Sequence, residues 1–146
     1  MSANDDLRKV RFTEDDGHVE CVWAEPLGDD RYRIDNTPWF AYGVSWKDIV
    51  EAKVKEEGDL PDFIRVVEKS GHRTVRLILE EEEERKRVLK RLCDLGCTYE
   101  GSNGRFFGID IPPCTNLTDV TTFLSSMEHH WEHADPRYSE LYPDAK

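Results

Sequence analysis

The chain is 146 residues long and carries 31 Asp and Glu against 20 Lys and Arg, a formal net charge of -11. So acidic a chain is repelled by phosphate backbones and anionic lipid surfaces, which argues against direct nucleic-acid or membrane binding and favours a basic protein partner. The length suits one ordinary domain or two very small ones, and 38% hydrophobic residues suffice for a folded core.

The N-terminal residues are polar, without the apolar segment of a secretory signal, and no apolar run approaches the length of a membrane span. We therefore expect a cytoplasmic protein. In that compartment thiols stay reduced, and we expect no disulfide framework among the four cysteines, Cys21, Cys93, Cys97 and Cys114.

The first part of the chain has the pattern of short β-strands. Strands are predicted at residues 8–12, 18–25, 31–35 and 48–55, with turns at 14–17 and 28–30. In the second strand the alternation places Val19, Cys21 and Trp23 toward the core. An aromatic segment, residues 36–46, precedes the fourth strand. Turns about every ten residues are typical of a small β-barrel or a curled antiparallel sheet.

The second part mixes strands and helices. Residues 62–69 and 72–79 are predicted strands that flank a hairpin signal at 70–71. A helix over residues 80–95 follows, because five glutamates begin it and basic residues end it, which complements the helix dipole. A strand pair over 97–111 comes next. A second helix is capped by Asn116, and apolar residues recur at helical spacing as far as Trp131.

This element order predicts an α+β protein. The N-terminal β-barrel or curled sheet is followed by a ferredoxin-like split βαββα sandwich with helices on one face of an antiparallel sheet. The expected divisions are residues 1–62, 63–135 and a polar tail at 136–146, within one compact unit.

One short stretch, residues 127–133, suggests metal chemistry. His129, Glu132 and His133 spell H-x-x-E-H, the inverted zinc-protease pattern. On a helix the two histidines would share a face, and Glu132 could act as the base. A closed site needs a third protein ligand, however, and only thirteen residues follow His133. A solvated helix terminus is therefore favoured over a metal site, and we expect no metal and no cofactor.

Other catalytic patterns are missing from the sequence. It contains no phosphate-binding glycine loop and no G-x-S-x-G nucleophile elbow. Cys93 and Cys97 are spaced C-x-x-x-C and not C-x-x-C, which favours packing over redox or zinc chemistry. The sequence therefore predicts a protein without enzymatic activity.

The segment 22–52, "VWAEPLGDDRYRIDNTPWFAYGVSWKDIVEA", carries a family resemblance. It is similar to a W-A-E-P-x-G-x-G-R-Y-R-x-D-N-x-P-F-F-A block of an uncharacterised bacterial family, the domain of unknown function DUF4265. The segments at 66–79 and 110–113 resemble the family's second half, so the likeness covers residues 8–133. Asp30 stands in place of a glycine and Trp39 in place of a phenylalanine.

Small acidic members of such families resemble immunity proteins of bacterial polymorphic-toxin systems. The resemblance implies a protein that blocks the active site of a cognate toxin, for which an ADP-ribosyltransferase is the first class to consider. We expect the basic toxin domain to be contacted by Trp39, Phe40, Tyr42 and Trp46, with Asp29, Asp30 and Asp35 as charge partners. The alternatives are a zinc-dependent hydrolase using His129, Glu132 and His133, or a small-ligand-binding regulatory module.

Overall fold

The computed structural model describes residues 6–102, 104–127 and 130–144. Its elements, in chain order, are β1 (Arg8–Thr13), β2 (Val19–Gly28), β3 (Arg31–Ile34), β4 (Ile49–Val54), β5 (Pro61–Glu68), β6 (Arg73–Ile78), α1 (Glu82–Asp94), β7 (Thr98–Ser102), β8 (Phe106–Ile111), α2 (Leu117–Ser125), β9 (His130–Asp135) and α3 (Tyr138–Leu141). The fold is mixed α+β and consists mostly of strands.

The first five strands form a closed barrel, as the turn spacing predicted. Each strand pairs antiparallel with the next, and β5 returns to pair in parallel with β1 where Arg11 faces Asp62. The Arg11 Nε donates to Asp62 Oδ1 at 2.6 Å across this closure. The barrel core is built from aliphatic side chains and one phenylalanine, Val10, Phe12, Val22, Ala24, Ile34, Ala41, Val44, Val50 and Ala52.

The predicted facing of β2 is wrong. Val22 and Ala24 point into the barrel, while Cys21 and Trp23 are exposed. A five-stranded barrel has a narrow interior that small aliphatic side chains fill, so an indole is accommodated outside. Trp23 lies there beneath Lys9, whose Nζ is 4.9 Å from the ring centroid.

The second sheet has the strand order β7-β8-β6-β9, and all its neighbouring strands are antiparallel. Helix α1 connects β6 to β7, and α2 connects β8 to β9. Both helices contribute to one core on the sheet, with Val88, Leu89 and Leu92 from α1 and Val120 and Leu124 from α2.

The predicted helices are confirmed at their beginnings, and the second is wrong at its end. Asn116 caps α2 by accepting the Asp119 amide at 3.1 Å, but the helix ends at Ser125. Residues 130–135 form β9 instead, paired with β6 from His130↔Ile78 to Asp135↔Thr74. The free edge of β6 offers a ladder of backbone hydrogen bonds, and this tertiary pairing overrides the local helical spacing.

Two expectations about the middle of the chain also change. Residues 70–71 do not join a hairpin, since β5 belongs to the barrel and β6 to the second sheet. The boundary expected at residue 62 therefore falls inside a barrel strand.

In the expected polar tail, residues 138–141 form the short helix α3. None of the helices in the described part of the chain is long and apolar enough to cross a membrane.

Candidate functional site

The aromatic loop, residues 36–46, leaves the barrel after β3 and lies on the face of the second sheet opposite α1 and α2. Gly108 on β8 allows the close approach. A Cβ at this glycine would lie 3.3 Å from Thr37 Cγ2 and 3.4 Å from Trp39 Cδ1. The loop thus joins the two halves of the fold, and its shape depends on both.

Glu20 of β2 holds the loop from the barrel side. Its carboxylate accepts three consecutive backbone amides, those of Trp39 (2.6 Å), Phe40 (2.9 Å) and Ala41 (2.9 Å). Charge-assisted bonds from amides to a carboxylate are among the stronger hydrogen bonds in proteins. These three bonds hold the backbone of the loop around Phe40.

Arg76 of β6 holds the loop from the sheet side. Its side chain is 2% exposed, and its guanidinium donates to the Ala41 carbonyl, lies 4.9 Å from the Tyr42 ring centroid and reaches Glu132 Oε1 at 3.5 Å. Burial lowers the pKa of Arg76. The Tyr42 hydroxyl donates to Glu132 at 2.8–2.9 Å. The pKa of Tyr42 is raised, mainly by burial and also by the hydrogen bond to the Glu132 carboxylate.

The end of the loop is anchored by a polar junction between barrel and sheet, formed by Ser45, Asp48, Lys69, Thr74 and Asp135. The Lys69 Nζ donates to Asp48 and to Asp135 at 2.5 Å each. The Ser45 hydroxyl donates to Asp135 Oδ2 (2.5 Å) and lies 2.7 Å from the hydroxyl of Thr74. With Asp48 fully buried and Asp135 nearly so, Lys69 supplies the cation that these carboxylates need.

Trp46 and Trp39 are half-buried and pack against neighbouring residues. Trp46 is half-buried, with its ring 5.3 Å from that of His72 and 4.7 Å from Lys47 Nζ. His72 in turn contacts the buried Asp110 at 2.8 Å, and desolvation raises the pKa of that carboxyl. Trp39 is half-buried over Gly108.

Phe40 is the exposed aromatic side chain of the loop. Its side chain is 52% exposed and stacks on Phe106 of β8, with ring centroids 5.5 Å apart and an interplanar angle of 20°. Ile78, which pairs with Phe106 in the sheet, is 38% exposed. Beside them is a cavity of about 280 Å³ lined by Arg76, Leu77, Ile78, Phe106, His130, Trp131 and Glu132.

The three aspartates predicted as charge partners do not form one surface. Asp29 and Asp30 make the β2–β3 turn with φ of 54° and 62°. Asp35 directly precedes the aromatic loop at the other end of β3, about 17 Å from the turn at the usual rise per strand residue. Asp35 alone is next to the loop.

Glu132 and His133 lie on strand β9 and not on a helix, so the two side chains point to opposite faces of the second sheet. Glu132 points toward the barrel and Tyr42, whereas His133 points toward α2 and packs against Trp131, Tyr138 and Tyr142. Burial lowers the His133 pKa. His129 is outside the described residues. Within residues 6–102, 104–127 and 130–144, no group of three or more His, Cys, Asp or Glu is placed to hold a metal ion.

The sequence analysis did not identify four residues that shape the site, Glu20, Arg76, Ile78 and Phe106, and it considered Glu132 only as part of a zinc motif. Glu20 has exposed neighbours on β2. Its role becomes visible only in its hydrogen bonds to the amides of three loop residues. Arg76 carried a usable signal, because it is the one charged residue in the otherwise apolar run 75–79, and a charge in such a run is buried only with partners.

Comparison with known proteins places the chain in a family without giving a function. A comparison with curated proteins gives no match. A crystal structure of a hypothetical protein from Neisseria gonorrhoeae is similar in fold, with a TM-score of 0.78 and 16% identity over 91% of this chain and 97% of that one. The model of a domain of unknown function matches residues 20–133, and the chain therefore belongs to the DUF4265 family.

Proposed function

We propose that this chain is an immunity protein that binds a cognate bacterial toxin domain in the cytoplasm and blocks its active site without catalysing a reaction. The observation that carries the proposal is Phe40, a half-exposed aromatic side chain held in place on Phe106. Exposed aromatic side chains on a fixed backbone are common anchors of protein interfaces.

Rigidity supports this role. Glu20, Arg76 and the polar junction fix the aromatic loop, so binding costs little ordering entropy. The net charge of -11 would speed capture of a basic partner and suppress association with acidic ones.

The toxin class is a finer proposal. A toxin that acts on NAD, nucleic acid or another anionic substrate needs a basic cleft, which an acidic protein can cover. Within this group an ADP-ribosyltransferase is the first class to test. We also propose to class the second half as a ferredoxin-like split sandwich, which the element order from β6 to β9 supports.

Co-expression tests the function directly. The reading frame immediately upstream of this gene is expressed in a bacterial host alone and with this protein, and growth is followed. The Phe40→Ala variant is compared with Trp23→Ala, which removes a similarly exposed ring from the outside of the barrel. We expect protection by the wild type and by Trp23→Ala. Phe40→Ala should weaken binding by about 2 kcal/mol, roughly thirtyfold in Kd.

Two results would count against these statements in different ways. If the wild-type chain protects against none of the toxins encoded beside it, the immunity function is wrong. If Phe40→Ala protects as well as the wild type at equal protein level, the function stands and the contact lies on another surface.

A further inference from the structure

We infer that the cavity beside Phe40 receives an arginine side chain from the partner, with the guanidinium on Glu132 and the stem on Ile78 and Phe106. The inference rests on the proposed function, because it names the chemistry of the group that the same site would hold.

The cavity combines an apolar wall with a partly exposed carboxylate. Ile78 and Phe106 form the wall, and Phe40 extends it by stacking on Phe106. The Glu132 side chain is 47% exposed at the same cavity. A volume of about 280 Å³ suits a single long side chain better than a whole cofactor, since ligand pockets usually start near 300 Å³.

The carboxylate has capacity for another donor. A carboxylate offers about four lone-pair positions. The Tyr42 hydroxyl bonds to both Glu132 oxygens, and Arg76 reaches one of them only at 3.5 Å. Glu132 is therefore oriented by its neighbours without being enclosed by them.

The local charge also favours a cation. Three carboxylates surround the segment from Trp39 to Tyr42: Glu14 and Glu20 accept its backbone amides, and Glu132 accepts the Tyr42 hydroxyl. Two guanidinium groups oppose them, those of Arg76 and Arg137, at 4.9 and 5.2 Å from the Tyr42 ring centroid. The sum is one negative charge within a chain of net charge -11.

Arginine fits this setting better than lysine. The planar guanidinium can stack on an aromatic face while it forms a two-pronged bond to a carboxylate, whereas an ammonium is a strongly hydrated point charge. Phe40 and Phe106 provide the faces, and Glu132 provides the carboxylate. An acidic side chain would be repelled by Glu132, which is 47% exposed, whereas the favourable charge of Arg76 is on a side chain only 2% exposed.

The probe is N-acetyl-arginine amide, titrated into the whole protein and followed by two-dimensional amide NMR. N-acetyl-norleucine amide and N-acetyl-glutamate amide are the neutral and acidic comparisons. We expect millimolar binding of the arginine probe alone, with shifts confined to the amides of Phe40, Tyr42, Ile78, Phe106 and Glu132.

Glu132→Gln retains an acceptor for Tyr42 and removes the charge, so it should bind the probe roughly tenfold more weakly. Glu68→Gln, which removes an exposed charge from the barrel strand β5, should bind it as the wild type does. Equal binding by Glu132→Gln and wild type, or shifts spread over the whole acidic surface, would overturn the inference.

The two proposals fail separately. A chain that binds the arginine probe but protects against no neighbouring toxin has the cavity without the immunity function. A chain that protects but gives no localised shifts has the function, and its partner does not place an arginine here.

Discussion

Glu20, a half-buried residue of β2, shows how a single side chain can determine the shape of a loop. Its carboxylate is the common acceptor for three loop amides. Removing the acceptor leaves these donors to be satisfied by water or not at all, which makes this residue the most sensitive point of the aromatic loop.

We expect Glu20→Ala to lower the free energy of unfolding by about 2–3 kcal/mol, measured by urea denaturation at neutral pH. The matched control is Glu25→Ala on the same strand, where the carboxylate makes an exposed 3.3 Å ion pair with Arg33. Such pairs contribute about 0–1 kcal/mol. Equal losses in the two variants would show that Glu20 does not clamp the loop.

At the level of single residues, the sequence indicated the aromatic segment, but neither the exposure of each of its side chains nor the residues of other strands that hold it. Proline and aromatic residues in 36–46 predicted a non-strand aromatic segment, and the structure has one. The separation of Phe40, which is exposed, from Trp39 and Trp46, which pack inward, depends on Gly108 and His72. Both residues are distant from the loop in sequence, so no local pattern could reveal these contacts.

Among the elements, β9 and α3 form a small aromatic cluster with a titratable centre. His133 has its ring 4.7 Å from that of Trp131 and 5.4 Å from that of Tyr138. Burial lowers its pKa below the ordinary 6.5, so the folded chain favours the neutral imidazole. As the pH falls below 6.5, the unfolded chain takes up this proton first, and the free energy of unfolding decreases until the folded pKa is passed.

We expect this dependence to disappear in His133→Phe, which keeps a ring against Trp131 and Tyr138. Urea denaturation of both proteins between neutral pH and about pH 5 measures the difference in slope. One proton can contribute at most about 1.4 kcal/mol per pH unit, and the half-buried ring should give less. Carboxylates cancel in the comparison, so parallel curves for the two proteins would contradict the assignment to His133.

Element prediction succeeded where local signals were strong and failed where distant strands decided the outcome. The sequence predicted α1 from acidic residues at its beginning and basic residues toward its end, and α2 from its Asn116 cap. Both features are present in the structure. The stretch around Trp131 carries apolar spacing that also suits a helix. Its strand conformation follows from the unpaired edge of β6, which only the assembled sheet provides.

For the whole molecule, the polar junction links the two halves of the fold. Among the residues that the structure describes, the buried hydrophobic side chains form two separate clusters, one in the barrel and one under the helices. Lys69, with Asp48 and Asp135, connects the two halves. A break in a buried ion pair leaves an uncompensated charge. The junction should therefore control how cooperatively the halves unfold.

We expect Lys69→Ala to lower the free energy of unfolding by about 2 kcal/mol, below the usual range for buried pairs because the lysine side chain is 45% exposed. Its fluorescence and far-ultraviolet circular dichroism transitions should separate, while those of the wild type coincide. Lys55→Ala is the control, since its 3.7 Å pair with Asp62 is held by a 77% exposed lysine. Coincident transitions in Lys69→Ala would mean that the loop alone couples the halves.

The closure of the barrel through β1 has a practical consequence for recombinant work. The matched family region begins at residue 20 and ends at residue 133, whereas β1 spans Arg8–Thr13 and the junction needs Asp135. A fragment trimmed to the matched region would expose the edges of β2 and β5 and leave Lys69 short of one carboxylate. Unpaired strand edges recruit other chains, so aggregation of such a fragment would reflect its boundaries and not the stability of the natural fold.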